Sequence, residues 1–248
     1  MHNDLRVDLI TNSKALHRSV YSLLEIRSID KSIRVLDQLR ADLAAIKVDE
    51  IAHESIISRV RSRVALAQVF GLSLSLGEVV GIVEERVGRL RNDLRIEVHA
   101  IDGFILKSEN NFKGISKLIS ECEEPLNYSE LEERIESLRH VRTLYMHIIR
   151  ELKFVQKKSL ELSQSIDRIF LVTTNRWGIE LQVALSLREN LQFGTKRRVP
   201  YLSRLRSLNK DLIVNTTDMI LTLKGIKDSK QDLKRNLEQV DLALASIG

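Results

Sequence analysis

The sequence predicts an all-α fold, an elongated bundle of long antiparallel helices with coiled-coil-like packing. Three observations carry that reading. The chain of 248 residues holds only 2 prolines and 10 glycines, and these are the residues that break or weaken helix interiors. Hydrophobic residues make up 43% and charged residues 29%, with aromatics at 4%. That balance excludes a disordered chain and suits helices packed lengthwise. Finally, apolar residues in the C-terminal half recur every seven positions over two long stretches, the spacing of a helical seam.

The elements follow in chain order. Residues 13–47 predict one helix, capped by Asn12 or Ser13, with Leu16, Val20, Leu23, Ile26, Ile33, Leu36 and Leu43 as its apolar stripe. A second helical stretch spans about 49–70 and a third about 77–107, the latter marked by Val83, Val87, Leu90, Leu94, Ile96, Val98 and Ile101. The polar stretch SENNFKG at 108–114 predicts a connector, followed by a short helix at 112–122 that Pro125 closes. Ser129 and Glu132 have capping-box spacing and predict the start of a long helix.

That helix carries one seam at Leu138, Tyr145, Leu152, Ser159, Ile166 and Thr173, and another at Val141, Ile148, Val155, Leu162 and Ile169. Gly194 and Pro200, within LQFGTKRRVP at 191–200, predict a stop and restart. The last helix, about 199–246, has one seam at Leu205, Leu212, Met219, Ile226, Leu233, Val240 and Ile247. Its other seam is Leu202, Asn209, Thr216, Leu223, Lys230, Leu237 and Leu244. A kink is expected at Gly225. Two long helices around a short connector predict an antiparallel hairpin. The expected organisation is a single domain, 1–248, with a subdivision into N-terminal helices at 1–124 and a hairpin at 125–248.

Composition narrows the setting. Thirty-nine basic residues nearly balance 34 acidic ones, leaving a net charge of +5, which permits a polyanionic partner without requiring one. Cys122 is the single cysteine, so no internal disulfide can form. The N-terminal MHNDLRVDLITNSK lacks the apolar core of a secretion signal. Both features lead to the expectation of a cytoplasmic protein, with peripheral contact to a membrane left open. The window 64–83 has a membrane-spanning length and one charge, Glu78. Its glycines at 71, 77 and 81 favour a helix end, a turn and a new helix start.

Chemical motifs are sparse. No phosphate-loop, dinucleotide or zinc-protease pattern occurs. The six histidines, at positions 2, 17, 53, 99, 140 and 147, are scattered. His140 and His147 lie two turns apart on one face, too far for chelation from one helix. Cys122 stands among Glu121, Glu123 and Glu124, and neighbouring carboxylates suppress the reactive thiolate. The acidic run 121–136 holds Arg134 as its one base and suits the positive end of a helix dipole. No catalytic residue, cofactor or metal ligand is therefore assigned.

The opposite charge gathers at Lys196, Arg197, Arg198, Arg204, Arg206 and Lys210, with no acid between Glu189 and Asp211. These six are the candidate contact for a protein partner or an anion. A solvated hairpin turn is the simpler reading of the same run. Phe193 and Tyr201 are the aromatics near it, too few for stacking single-stranded bases, and no specific nucleic-acid partner is expected.

The stretches VQKKSLELSQSIDRIFLVTTNRWGIELQVALSL (155–187) and LNKDLIVNTTDMI (208–220) resemble the toxic-anion resistance, or TelA-like, family. The correspondence rests on Leu160, Glu161, Leu162, Asp167, Arg168, Thr173, Thr174, Leu181, Ala184, Leu185, Leu212, Ile213, Thr216, Thr217 and Met219. It covers the C-terminal part of the chain. The longer basic turn and Trp177 depart from the family pattern. The resemblance implies a cytoplasmic helical protein tied to tolerance of tellurite and similar stress, with no cofactor and no catalytic residue to carry over.

The sequence thus leads to a non-catalytic helical scaffold with protein partners. The alternative is a helical protein at a membrane surface, binding anionic lipid or an envelope or defence complex. An enzyme using carboxylates within Glu130–Glu136 ranks last. Heptads can be satisfied within one chain or between copies, so a homo-oligomer stays open.

Overall fold

The computed structural model describes residues 11, 14–18, 20, 26–45, 76–122, 129–189 and 195–247, and all of them are helical. Residues 14–18 are followed by α1 (Ile26–Ala45), α2 (Leu76–Cys122), α3 (Ser129–Ser165), a π-helical turn (Ile166–Phe170), α4 (Leu171–Glu189) and α5 (Thr195–Ile247). The all-α expectation holds. The predicted helix at 49–70 lies outside the described residues, as does most of the window 64–83. No described helix is long and apolar enough to cross a membrane.

The chain divides into two compact units. The first comprises Met1–Ile29, Leu94–Leu160 and Lys224–Gly248, and the second comprises Asp30–Asp93 and Glu161–Leu223. In the first unit α2 and α3 run antiparallel. Asp102 accepts from Gln156, Glu109 pairs with Lys153 at 2.8 Å, and Asn111 donates to Tyr145 at 3.1 Å. Rising numbers on one helix thus meet falling numbers on the other. In the second unit Glu180 of α4 pairs with Arg204 of α5 at 3.2 Å. The two residues flank positions 190–194 at equal sequence distance, as the arms of a hairpin require.

The last helix follows its predicted seams from Leu205 to Leu244, whereas Leu202 is only half-buried. Leu205, Leu212, Met219, Ile226, Leu233 and Val240 are buried, as are Asn209, Thr216, Leu223, Lys230, Leu237 and Leu244. The helix begins at Thr195 and includes Pro200, earlier than the predicted start near 199. Pro200 stands in the second turn, where its missing N–H forgoes one bond to the carbonyl four residues back. The helix also runs unbroken through Gly225.

Two sequence expectations are corrected. Residues 108–114 form no connector, and 112–122 is no separate helix; both belong to the 47-residue α2. Ser108 and Asn111 are buried. They continue a heptad through Val83, Leu90, Glu97, Phe104, Asn111 and Leu118, and through Val87, Leu94, Ile101, Ser108 and Ile115. Asn111 is polar because it meets the Tyr145 hydroxyl inside the bundle, whereas the buried Ser108 hydroxyl has no hydrogen-bond partner among the described residues.

The second correction concerns Thr173. The predicted seam is buried as far as Ile166, but Thr173 is only half-buried and Thr174 is fully buried. The π-helical turn at Ile166–Phe170 explains this shift. A π turn inserts one extra residue, so every later seam position advances by one. From the end of the turn onward Phe170, Thr174, Trp177 and Leu181 are buried, each one place beyond the uninterrupted heptad.

Candidate functional site

The six basic residues do not act as one cluster of free charges. Lys196, Arg197 and Arg198 fall in the first turn of α5. Cations there meet the positive end of the helix dipole, which strengthens the local positive potential. Arg204, Arg206 and Lys210 lie further along the helix and are exposed. Arg204 is engaged on two sides, by the Glu180 carboxylate and by the Tyr201 ring at 4.6 Å. The sequence run contains no acid, yet the hairpin brings one from α4.

The denser chemistry lies in the interior of the first unit. His17 Nδ1 lies 2.6 Å from Asp241 Oδ1, and its Nε2 lies 3.5 Å from the Tyr145 hydroxyl. Asn111 donates through Nδ2 to that hydroxyl at 3.1 Å. Four separate helical segments therefore supply one chain of polar groups. His17 is 1% exposed, Tyr145 is 0% exposed and Asn111 is buried. The Asp241 side chain is 39% exposed and forms the wet end of the chain.

Burial pushes the His17 imidazole below its ordinary pKa of 6.5, while the Asp241 charge and hydrogen bond pull the other way. The ring is thus predominantly neutral at pH 7. Its Nδ1–H donates to Asp241, its Nε2 accepts from Tyr145, and the Tyr145 oxygen accepts from Asn111. Each contact matches one donor to one acceptor.

A second polar layer in the same unit joins α5 to α2. Lys230 Nζ stands 2.6 Å from Glu97 Oε1, with side chains 3% and 17% exposed. Both occupy seam positions, so this pair replaces an apolar contact within the packing. On the unit's surface Lys153 beside Glu109 holds that carboxyl below the usual range.

The second unit treats its polar groups differently. Thr174 and Thr216 are buried, and each hydroxyl donates to a carbonyl one turn back in its own helix, Phe170 and Leu212 respectively. Asn209 donates to the Leu43 carbonyl at 3.1 Å. That carbonyl belongs to the last described turn of α1, so the contact ties α5 to α1. Beside the π turn, Arg91 of α2 pairs with Asp167 at 3.0 Å. Trp177 is fully buried, and its Nε1 has no hydrogen-bond partner among the described residues.

The remaining sequence candidates stay apart. His99, His140 and His147 are exposed on α2 and α3, and Glu132, Glu133 and Glu136 are exposed near the start of α3. Among the described residues no three histidine, cysteine or carboxylate side chains are grouped to hold a metal ion. Sequence reasoning missed the His17 chain because its members are far apart in number. A signal was present in Asn111, which stands seven places from both Phe104 and Leu118.

No family model, curated protein or solved structure matches this chain.

Proposed function

We propose that this chain is a non-catalytic helical scaffold that works through protein partners, of the toxic-anion resistance or stress-response type. The observation that carries the scaffold reading is the use made of its buried polar groups. Lys230 is spent on Glu97, His17 on Asp241 and Tyr145, and Asn111 on Tyr145. An enzyme holds such groups toward a substrate, with nucleophile, base and charge stabiliser converging on one reacting atom. Here they bind helix to helix, which fixes register and leaves the outer faces for recognition. The link to toxic anions rests on the resemblance of 155–187 and 208–220 to the TelA-like family.

Tellurite challenge of a deletion strain, with the protein restored from a plasmid, tests the stress assignment. Lowered tolerance that the plasmid repairs is expected. Unchanged tolerance to tellurite, membrane stress and phage overturns it. Proteins that co-purify with the tagged chain from native cells test the scaffold itself.

A second reading, contact with an anionic membrane surface, is favoured by Lys196, Arg197 and Arg198 in the first turn of α5. Flotation with anionic vesicles at low salt separates the two. Co-flotation lost on replacing these three by glutamine supports the membrane reading, and no co-flotation removes it.

A further inference from the structure

We propose that His17, held between Asp241 and Tyr145, is a proton-sensitive latch that keeps the N-terminal helical segment seated in the first unit. The segment holding His17 also buries Leu16 and Val20. The His17 ring ties it to two other helices, to Asp241 of α5 at 2.6 Å and Tyr145 of α3 at 3.5 Å. Asn111 of α2 completes the chain through the tyrosine oxygen and carries no charge. Among the described residues, Asp241 is a charged group that acts on the ring and Tyr145 a second titratable group that faces it.

The chain of bonds is complete only when the imidazole is neutral. A second ring proton would sit on Nε2 and turn an acceptor into a donor. The Tyr145 oxygen would then face two donors, His17 and Asn111, and the phenol could no longer donate to the ring. Asp241 favours the charged ring, but its own carboxylate is 39% exposed and therefore screened. The ring itself is 1% exposed, and the desolvation cost of the charged form outweighs the pairing.

With the folded pKa below 6.5, the unfolded or released segment binds more protons than the seated one. Seating is therefore strongest above about pH 6.5 and weakens as pH falls through that value. Release of the segment uncovers the apolar seam that Leu16 and Val20 had covered.

Amide hydrogen exchange of the full chain between about pH 7.5 and about pH 5 tests the latch, after correction for the intrinsic pH dependence of exchange. Exchange across 14–20 should rise severalfold as the pH falls, while Asp30–Ala45 of the second unit stays level. His17→Asn places an amide donor where Nδ1–H stood and cannot titrate, so its profile should be flat. Asp241→Asn keeps an acceptor for the ring and removes the counter-charge, so the midpoint should move to lower pH. A flat wild-type profile overturns the proposal, as does an unchanged rise in His17→Asn. Should His17→Asn fail to fold, Asp241→Asn decides alone: an unmoved or raised midpoint overturns the latch.

Discussion

The two units bury comparable polar groups and satisfy them in different ways. In the first unit Lys230, Asn111 and His17 find partners on other helices, in Glu97, Tyr145 and Asp241, while the buried Ser108 and Ser159 hydroxyls have no hydrogen-bond partner among the described residues. In the second unit the fully buried Thr174 and Thr216 turn back to their own helices and Asn209 reaches a backbone carbonyl, while the half-buried Arg91–Asp167 pair joins α2 to the π turn. A side chain bonded to its own helix constrains no neighbour. A side chain bonded to a residue on another helix favours one register, because a slide breaks that contact at a buried group. The first unit therefore has its helix alignment specified chemically. The second relies more on shape, including the buried Trp177, Phe170 and Leu181.

Substitutions can break this contrast. The largest expected effect is at Lys230→Ala, which strands the Glu97 carboxylate and should cost about 3–5 kcal/mol in urea unfolding. Tyr145→Phe removes the hydroxyl that joins Asn111 to His17 and should cost about 1–3 kcal/mol. Circular dichroism during denaturation measures both. Gly225→Ala should act in the opposite sense. A Cβ at Gly225 meets no atom within 4 Å, so the better helix former should add up to about 1 kcal/mol. Thr216→Val sharpens the comparison from the second unit. It removes a hydroxyl bonded within its own helix, keeps the branched shape, and should change stability by about 0.5 kcal/mol. A Thr216→Val loss as large as that of Tyr145→Phe would erase the distinction between the units.

Much of the fold was legible from spacing alone. The seams of α5 could be read from Leu205 to Leu244 because apolar residues fill most positions, and Asn209, Thr216 and Lys230 fall in step with them. The α2 seam was harder to see. Glu97, Ser108 and Asn111 interrupt its apolar pattern, and a polar cluster with Gly114 looks like a loop until Tyr145 and Lys230 are placed opposite. The π turn had no signature in the heptad, since a backbone insertion changes register without changing residue type.

The interior polar chain was legible only in part. A heptad count places Asn111 and Tyr145 inside, but pairing them with His17 and Asp241 needs tertiary contacts that no single helix encodes. The basic run was visible at once, whereas the Glu180 carboxylate that engages Arg204 comes from across the hairpin.

The central claim is that buried pairs between helices specify the first unit. A double-mutant cycle at Glu97 and Lys230, with Glu97→Ala, Lys230→Ala and both together, tests it most directly. The account predicts a coupling of about 2 kcal/mol or more, within the range for neighbours sharing a buried ion pair. Additive losses, with coupling below about 0.5 kcal/mol, would place these residues with independent sites and contradict it.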